Sequence, residues 1–514
     1  MKKILLCAAC ICAPALAGAE QWQVLGTRPM GMGGAFVAVA QGPVAQYWNP
    51  AGLAMESSQT VSGMEIPVGV NLEMTGGIMK NASEIGDMAD QLSAIKDAQT
   101  HNTAVTPAQA ADFVKTMSLL AAMNDKGKGV LLEANGGANF KFSKIAVSVN
   151  NFTSVGMNPY IDTSNLNLGT NSNGINFSGN SISTLNDASY SSARSDLENA
   201  LDQLGTGNAL KLICGTGNCG DAITSNAELS YALVNYAQSM GISTSQLEQA
   251  AATITQYATG AAPIITGALS GGSVDGNQSN LKLDAASFTE VAFGYGRYLG
   301  FLDGLSLGGN IKMVNGRMAT SEFEFMNNSK TGDAFKNMLN DAKSSWAPAV
   351  DMGAMWDISR KYPGVPMHPK IGIVGRNLNS PRFDKPVSEG GKYTLDRQVR
   401  AGLAFKPLNF WNIAADMDLT KNKTAVDGYD SRQLALGTEI NVINRKAFNI
   451  PLRAGIMKNT AEKASKTAYT VGTGLNLLYM HFDVSAAISS DRTKLDDKNV
   501  PTHVAVGASF GLLF

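Results

Sequence analysis

The chain has 514 residues, 41 Lys and Arg against 42 Asp and Glu, 44% hydrophobic residues and a mean hydropathy of −0.05. Near-neutral charge without Lys/Arg clusters excludes a nucleic-acid footprint, so no nucleic-acid partner is expected. Past the first twenty residues no apolar run approaches the roughly 18 residues of a membrane-crossing helix. A membrane β-barrel stays open, because alternating apolar and polar residues average to an ordinary composition.

The chain opens with Lys2 and Lys3, an apolar run from Ile4 to Ile11, and the small residues of Pro14 to Ala19. This reads as an export signal over residues 1–19, cleaved after Ala17 or Ala19. A lipidated cysteine is the alternative, but none of Cys7, Cys10 and Cys12 follows a full apolar run. Removing the signal takes two lysines and no acid, which leaves 39 basic against 42 acidic residues.

Residues 20–58 are rich in Gly, Ala and Met and contain GTRPMGMGGAFVAVAQGPVAQYWNPAGLA, Gly26 to Ala54. Gly31, Gly33 and Gly34 permit close backbone approach and unusual dihedrals. Asn49-Pro50-Ala51-Gly52 reads as a turn, with Pro fixing φ. Strand-like and helical patterns then mix over 59–156, and a polar Asn/Ser/Gly-rich stretch fills 157–284. Helical spacing recurs at 82–98, 107–123, 193–204, 225–240 and 245–258, for example Leu197, Leu201 and Leu204, and predicts short amphipathic helices in long loops. Cys214 and Cys219 predict a local disulfide in an oxidising compartment. A metal site is the weaker reading, since CxxxxC has no second pair or nearby His to complete it. No metal or cofactor is expected.

From 285 onward the pattern has period two. Val504, Val506, Ala508, Phe510, Leu512 and Phe514 alternate with small or polar residues, and Phe482, Val484, Ala486 and Ile488 with His481, Asp483, Ser485 and Ala487. With one strand near 59–76, the predicted strands are 129–141, 144–156, 285–298, 305–317, 346–359, 370–377, 395–405, 411–419, 431–441, 450–457, 468–478, 480–488 and 502–514. That makes about fourteen, joined by alternating long and short connections, with long excursions at 77–128 and 157–284. The asymmetry is that of an all-β, antiparallel transmembrane barrel with short periplasmic turns and long external loops, in the outer membrane of a Gram-negative bacterium. Trp346 and Trp356 share one strand face at a spacing of roughly 25 Å in height, the separation of two aromatic girdles. The polar face carries Asp351, Asp357, Arg400, Asp416, Asp418, Glu439, Arg453, His481 and Asp483, which the cost of charge in lipid directs to the lumen. Arg397 falls on the apolar face. No nucleophile motif surrounds His481, Asp483 and Ser485, so a lumen polar network is expected and no catalysis.

The Gly-Met-Gly-Gly-Ala segment followed by Asn-Pro-Ala resembles the N-terminal hatch of the FadL-type outer-membrane transporters for long-chain fatty acids and aromatic hydrocarbons, and of the related PorV-type barrels. The helix-bearing loops and the Asn-Pro-Ala-Gly-Leu junction look most like the conjugal-transfer TraF family of outer-membrane-like proteins. The resemblance implies that 20–58 plugs a barrel formed by 59–514, with Asn49, Pro50, Ala51 and Gly52 beside the wall. It implies fourteen strands ending in an aromatic residue, here Phe514 as insertion signal. Pro67 is then a candidate strand kink for a sideways exit, or simply a strand end. Gly31, Gly33 and Gly34 would serve a gate, or only tight packing. The implied function is passage of hydrophobic small molecules such as long-chain fatty acids, in contact with outer-membrane lipid. The rival is a surface or assembly component whose helical loops bind a protein partner.

Overall fold

The computed structural model describes residues 19–55, 62–78, 106–162, 177, 180–214, 219, 223–268, 278–324, 340–445, 448–495 and 498–513. Apolar–polar alternation places successive side chains on opposite faces of an extended chain. A sheet with one greasy and one polar face hides its edges from hydrocarbon by closing. Here fourteen antiparallel strands close into one barrel in chain order. We number them β1 (Ser62–Thr75), β2 (Gly129–Phe142), β3 (Ile145–Tyr160), β4 (Asn280–Tyr298), β5 (Leu305–Glu324), β6 (Lys343–Asp357) and β7 (Lys370–Arg376). The circle continues with β8 (Gln398–Leu408), β9 (Trp411–Asp418), β10 (Gln433–Arg445), β11 (Phe448–Asn459), β12 (Ala468–Leu477), β13 (Met480–Ser489) and β14 (His503–Leu513). β14 pairs with β1, from Gly63 opposite Leu513 to Glu73 opposite His503.

The faces separate as the alternation requires. On β13 Phe482, Val484 and Ile488 are exposed, whereas His481, Asp483 and Ser485 are buried. Both Trp346 and Trp356 lie on the outward row of β6. This is a transmembrane β-barrel, with the long connections at one end and the short ones at the other.

Several boundaries differ from the sequence expectation. The second excursion is 161–279 and not 157–284, because β3 continues to Tyr160 and β4 starts at Asn280, paired to each other throughout. These ends are polar and so hide the alternation, yet their ladder is complete. The strand expected at 346–359 ends at Asp357, where Ile358–Lys361 turns into one helical turn. The strand expected at 395–405 is shifted to 398–408, which leaves Arg397 outside it. β7 has only seven residues. Beyond it the free edge of β6 is closed by Asn379, whose side chain accepts from the Val350 N–H at 3.1 Å and donates to the Pro348 carbonyl at 2.8 Å.

The helical excursions share one core. α1 (Thr27–Gly31) and α2 (Ala45–Trp48) lie in the N-terminal segment. α3 (Pro107–Met123), α4 (Ser191–Leu204), α5 (Thr206–Cys214), α6 (Asn226–Ser239) and α7 (Thr244–Ala268) pack around Phe113, Leu197, Leu201, Leu233 and Ile254. α7 has 25 residues and runs through Pro263, so it is longer than the short helix expected. α5 was not expected, because Gly205 and Gly207 at its start read as loop. The segment 82–98 lies outside the described residues. Capping boxes fix two starts, Thr106 with Gln109 and Ser225 with Glu228. The Thr224 backbone N–H, with the Ser225 and Thr224 hydroxyls, holds the Glu228 carboxyl below its usual range. Cys214 and Cys219 form a disulfide against this core.

Val506, at mid-strand on the lipid face of β14, gives a direct check on the barrel. Val506→Arg is expected to destabilise the protein by about 2–4 kcal/mol, read from urea unfolding in bilayers. Unheated wild type from outer-membrane extracts should migrate differently from boiled protein on a denaturing gel. A soluble periplasmic monomer would contradict the architecture.

Candidate functional site: the plug and the chambers around it

The strands carry glycine at inward positions, which makes room for a backbone inside the barrel. Gly33, at φ +69°, lies so close to the wall that a Cβ there would fall 2.5 Å from the Ile456 carbonyl. Opposite it Gly455 and Gly437 face Gly33 and Met32, and Gly308 and Gly353 face Pro50 and Asn49. Residues 20–55 thus fill the bore. They begin near the long-loop end, where Ala19–Glu20 pairs in parallel with Asn422–Lys423, and descend to Met55 beside Tyr298 and Ser306 near the short turns.

The plug and the wall satisfy each other's polar groups. Arg28 donates twice to Glu439, at 2.8 Å each. Arg453 donates to the same carboxylate at 2.8 Å and to Asp483 at 2.6 Å. Asp416 accepts from the Phe36 and Val37 N–H groups at 2.7 and 2.8 Å. Arg400 pairs with Asp418 and lies over Trp22, 4.6 Å from the ring centre. Arg376 stacks on Tyr47 at 4.1 Å and donates to Glu290. Lys312 sits between Glu290 and Asp351, at 3.2 and 3.0 Å. Trp22, Phe36, Tyr47 and Trp48 form the aromatic heart of the plug.

The Asn49 amide donates to the carbonyls of Val37, Ala354 and Ile373, and its oxygen accepts from the Ala51 N–H. It therefore ties two loops of the plug to β6 and β7. Pro50, Ala51 and Gly52 form a tight helical turn against the wall, with Gly52 packed on the Ala40 carbonyl. Thr470 donates to the Gly31 carbonyl at 3.0 Å, and Gly34 lies near Val24 and Ala435.

The expected lumen residues point inward and are buried: Asp351, Asp357, Arg400, Asp416, Asp418, Glu439, Arg453, His481 and Asp483. The ring of His481 lies against Gly511, and its Nδ1 has no partner among the described residues. Pro67 is inside β1 and not at its end. It faces Ser509 on β14, while pairing to β2 breaks after Glu65–Asn139 and resumes at Val68–Gly136 in the same register. Phe514 lies outside the described residues. Sequence reading missed Arg28, Glu290, Lys312 and Arg376. The signal for two of them was present, since Glu290 alternates with Val291 and Phe293, and Lys312 lies between Ile311 and Met313.

The plug divides the bore. Toward the short turns lies a chamber of about 490 Å³, lined by Arg28, Glu65, Lys406, Glu439, Asn476 and His481 among others. Toward the long loops are two small spaces of about 140 and 40 Å³, the inner one lined in part by Trp22, Val24, Met30, Met457 and Ala505.

Fold and site together define a plugged, ion-paired transmembrane β-barrel. The family model described as "F plasmid transfer operon, TraF, protein" matches residues 161–418, and the chain belongs to that family. No curated protein matches it. Among solved structures, the Pseudomonas putida toluene transporter TodX is similar at 10% identity over 96% of this chain and 99% of that one, with a TM-score of 0.41. The CymD monoaromatic hydrocarbon channel gives 11% identity over 98% and 99%, TM-score 0.39. A Pseudomonas aeruginosa FadL homologue gives 9% over 96% and 98%, TM-score 0.37.

Removing one partner of a buried ion pair strands the other. Glu439→Gln leaves Arg28 and Arg453 short of charge and is expected to cost about 3–5 kcal/mol. Asp416→Ala orphans two buried N–H groups, at about 1–3 kcal/mol. In both variants, hydrogen exchange of residues 20–55 should rise while strand amides far from the plug stay protected.

Proposed function

We propose that the protein is an outer-membrane barrel that passes hydrophobic small molecules, long-chain fatty acids among them, by displacement of the segment 20–58. The observation that carries this is the division of the bore. Nothing the size of a hydrocarbon fits the roughly 40 Å³ space above the plug, so passage requires the plug to move. That space has an apolar side, Trp22, Val24, Met30 and Met457, beside Glu133 and Asn135, and it suits an apolar guest better than the chamber below, which is lined mainly by charges and amides. An apolar guest is better served by leaving sideways than by crossing that chamber. The interrupted β1–β2 pairing at Ile66 and Pro67 is a place for such an exit. Gly31, Gly33 and Gly34, with the Asn49–Gly52 turn, are the contacts that a moving plug would break. The similar structures include a toluene transporter, TodX, and a monoaromatic hydrocarbon channel, CymD.

A second reading is favoured by the family description and by the helical unit. A separate core of five helices is more than a transporter rim needs, and it suits a component of a transfer or secretion apparatus that binds a protein partner. One pair of deletions separates the two. Uptake of labelled fatty acid or toluene should be lost or unregulated without residues 20–58 and persist without 161–279. Uptake indifferent to the plug, with a partner lost on removing 161–279, would reject transport in favour of assembly.

A further inference from the structure

The passage described above makes no use of the chamber at the short-turn end. We propose that this chamber and the basic collar around it form a docking site for an acidic, extended segment of a periplasmic protein. The inference uses the orientation of the barrel, short turns toward the periplasm, and does not depend on what the barrel transports.

The chamber ends blindly on the plug, and its volume of about 490 Å³ falls within the range of ligand pockets. Two of its carboxylates, Glu439 and Asp483, already hold Arg28 and Arg453, and the third, Glu65, has no ion pair among the described residues. Beside them stand amides and cations. Asn441, Asn449 and Asn476 line the wall, and an amide both donates and accepts, as a peptide backbone does. Lys406 lines the chamber with no carboxylate partner among the described residues.

Around the mouth, Lys144, Arg297, Lys361, Lys370, Lys406 and Arg445 stand against Asp303 and Asp357 in the turns and their flanks. Among the described residues Lys370 alone of these has a carboxylate partner, Asp357 at 3.3 Å. The excess of positive charge in this collar steers anions toward the chamber. At the lip, Met367 and His368 both adopt left-handed backbone, φ +63° and +42°, held by the Lys406 N–H to the Met367 carbonyl at 2.6 Å. Consecutive strained residues persist where their surroundings over-determine them, which is common at ligand clamps. Lipid headgroups can reach Lys144 and Arg297 outside the barrel. They cannot reach His368, Lys370 and Lys406 where these line the bore, and this favours a peptide.

The test uses the full-length protein in nanodiscs of zwitterionic lipid and a fluorescent, Asp/Glu-rich short peptide, with its Asn/Gln analogue as control. The acidic peptide should bind, lose affinity as salt is raised, and exceed the analogue by about tenfold. Lys406→Glu combined with His368→Glu should remove most of that preference. Asn476→Leu, inside the chamber and away from the collar, should weaken both peptides. Heat-modifiable migration certifies that each variant is folded. Equal binding of the two peptides, or none, overturns the proposal. So does a collar substitution that alters only the association of the protein with anionic lipid, since the basic residues would then serve the membrane.

Discussion

The constraint on which the rest of the structure depends is the absence of water around the wall. In hydrocarbon each backbone N–H and C=O must find a partner within the protein, and a closed ladder is the way a sheet achieves this. Closure fixes the alternation, and alternation sends every second side chain inward, where charge is affordable only if paired. Glu439 shows how far this reaches. It takes one guanidinium from the wall, Arg453, and another from the plug, Arg28. The plug is therefore part of the electrostatic solution of the barrel and not an object placed in an empty pore.

The same logic explains the aromatic heart of the plug. Arg376 and Arg400 project from wall strands into a region without bulk water, each with one carboxylate, and the rings of Trp22, Tyr47 and Trp48 cover their faces. Cation–π contact of this kind gains from desolvation. Glycines on the opposing strands bring the backbone of the plug close enough to complete these contacts. A plug that moves must exchange them for others, which bounds any gating motion to steps that keep the buried charges paired.

The wall was legible in the sequence because period two repeats over most strands and because the cost of charge in lipid sorts the polar face. Even the strand that carries Pro67 was placed correctly. What failed was local. The ends of β3 and β4 rise beyond the region that demands alternation, so Tyr160 and Asn280 read as loop. α5 hid behind Gly205 and Gly207. The ion pairs of Arg28, Lys312 and Arg376 join residues hundreds of positions apart or on different strands, and no spacing rule encodes such meetings. The plug was legible only through its Gly-Met-Gly-Gly-Ala and Asn-Pro-Ala segments. Their physical meaning, glycines pressed against Ile456 and an asparagine bridging two strands, needed coordinates.

The brevity of β7 has a consequence for the surrounding bilayer. Its seven residues, tilted near 40°, climb roughly 18 Å, below the roughly 25 Å apolar band of such barrels, while β4 and β5 have 19 and 20 residues. The rim of the barrel is therefore stepped, with its lowest and tallest strands close together. Lipids beside β7 meet a low parapet, sealed by the Asn379 amide, and those beside β4 and β5, two or three strands along, meet a tall one. Mismatch of that kind is relieved by thinning the leaflet on one flank or by leaning the whole cylinder. Either way the membrane around this barrel is not the same on all sides, and the lowered flank is where it is most easily deformed.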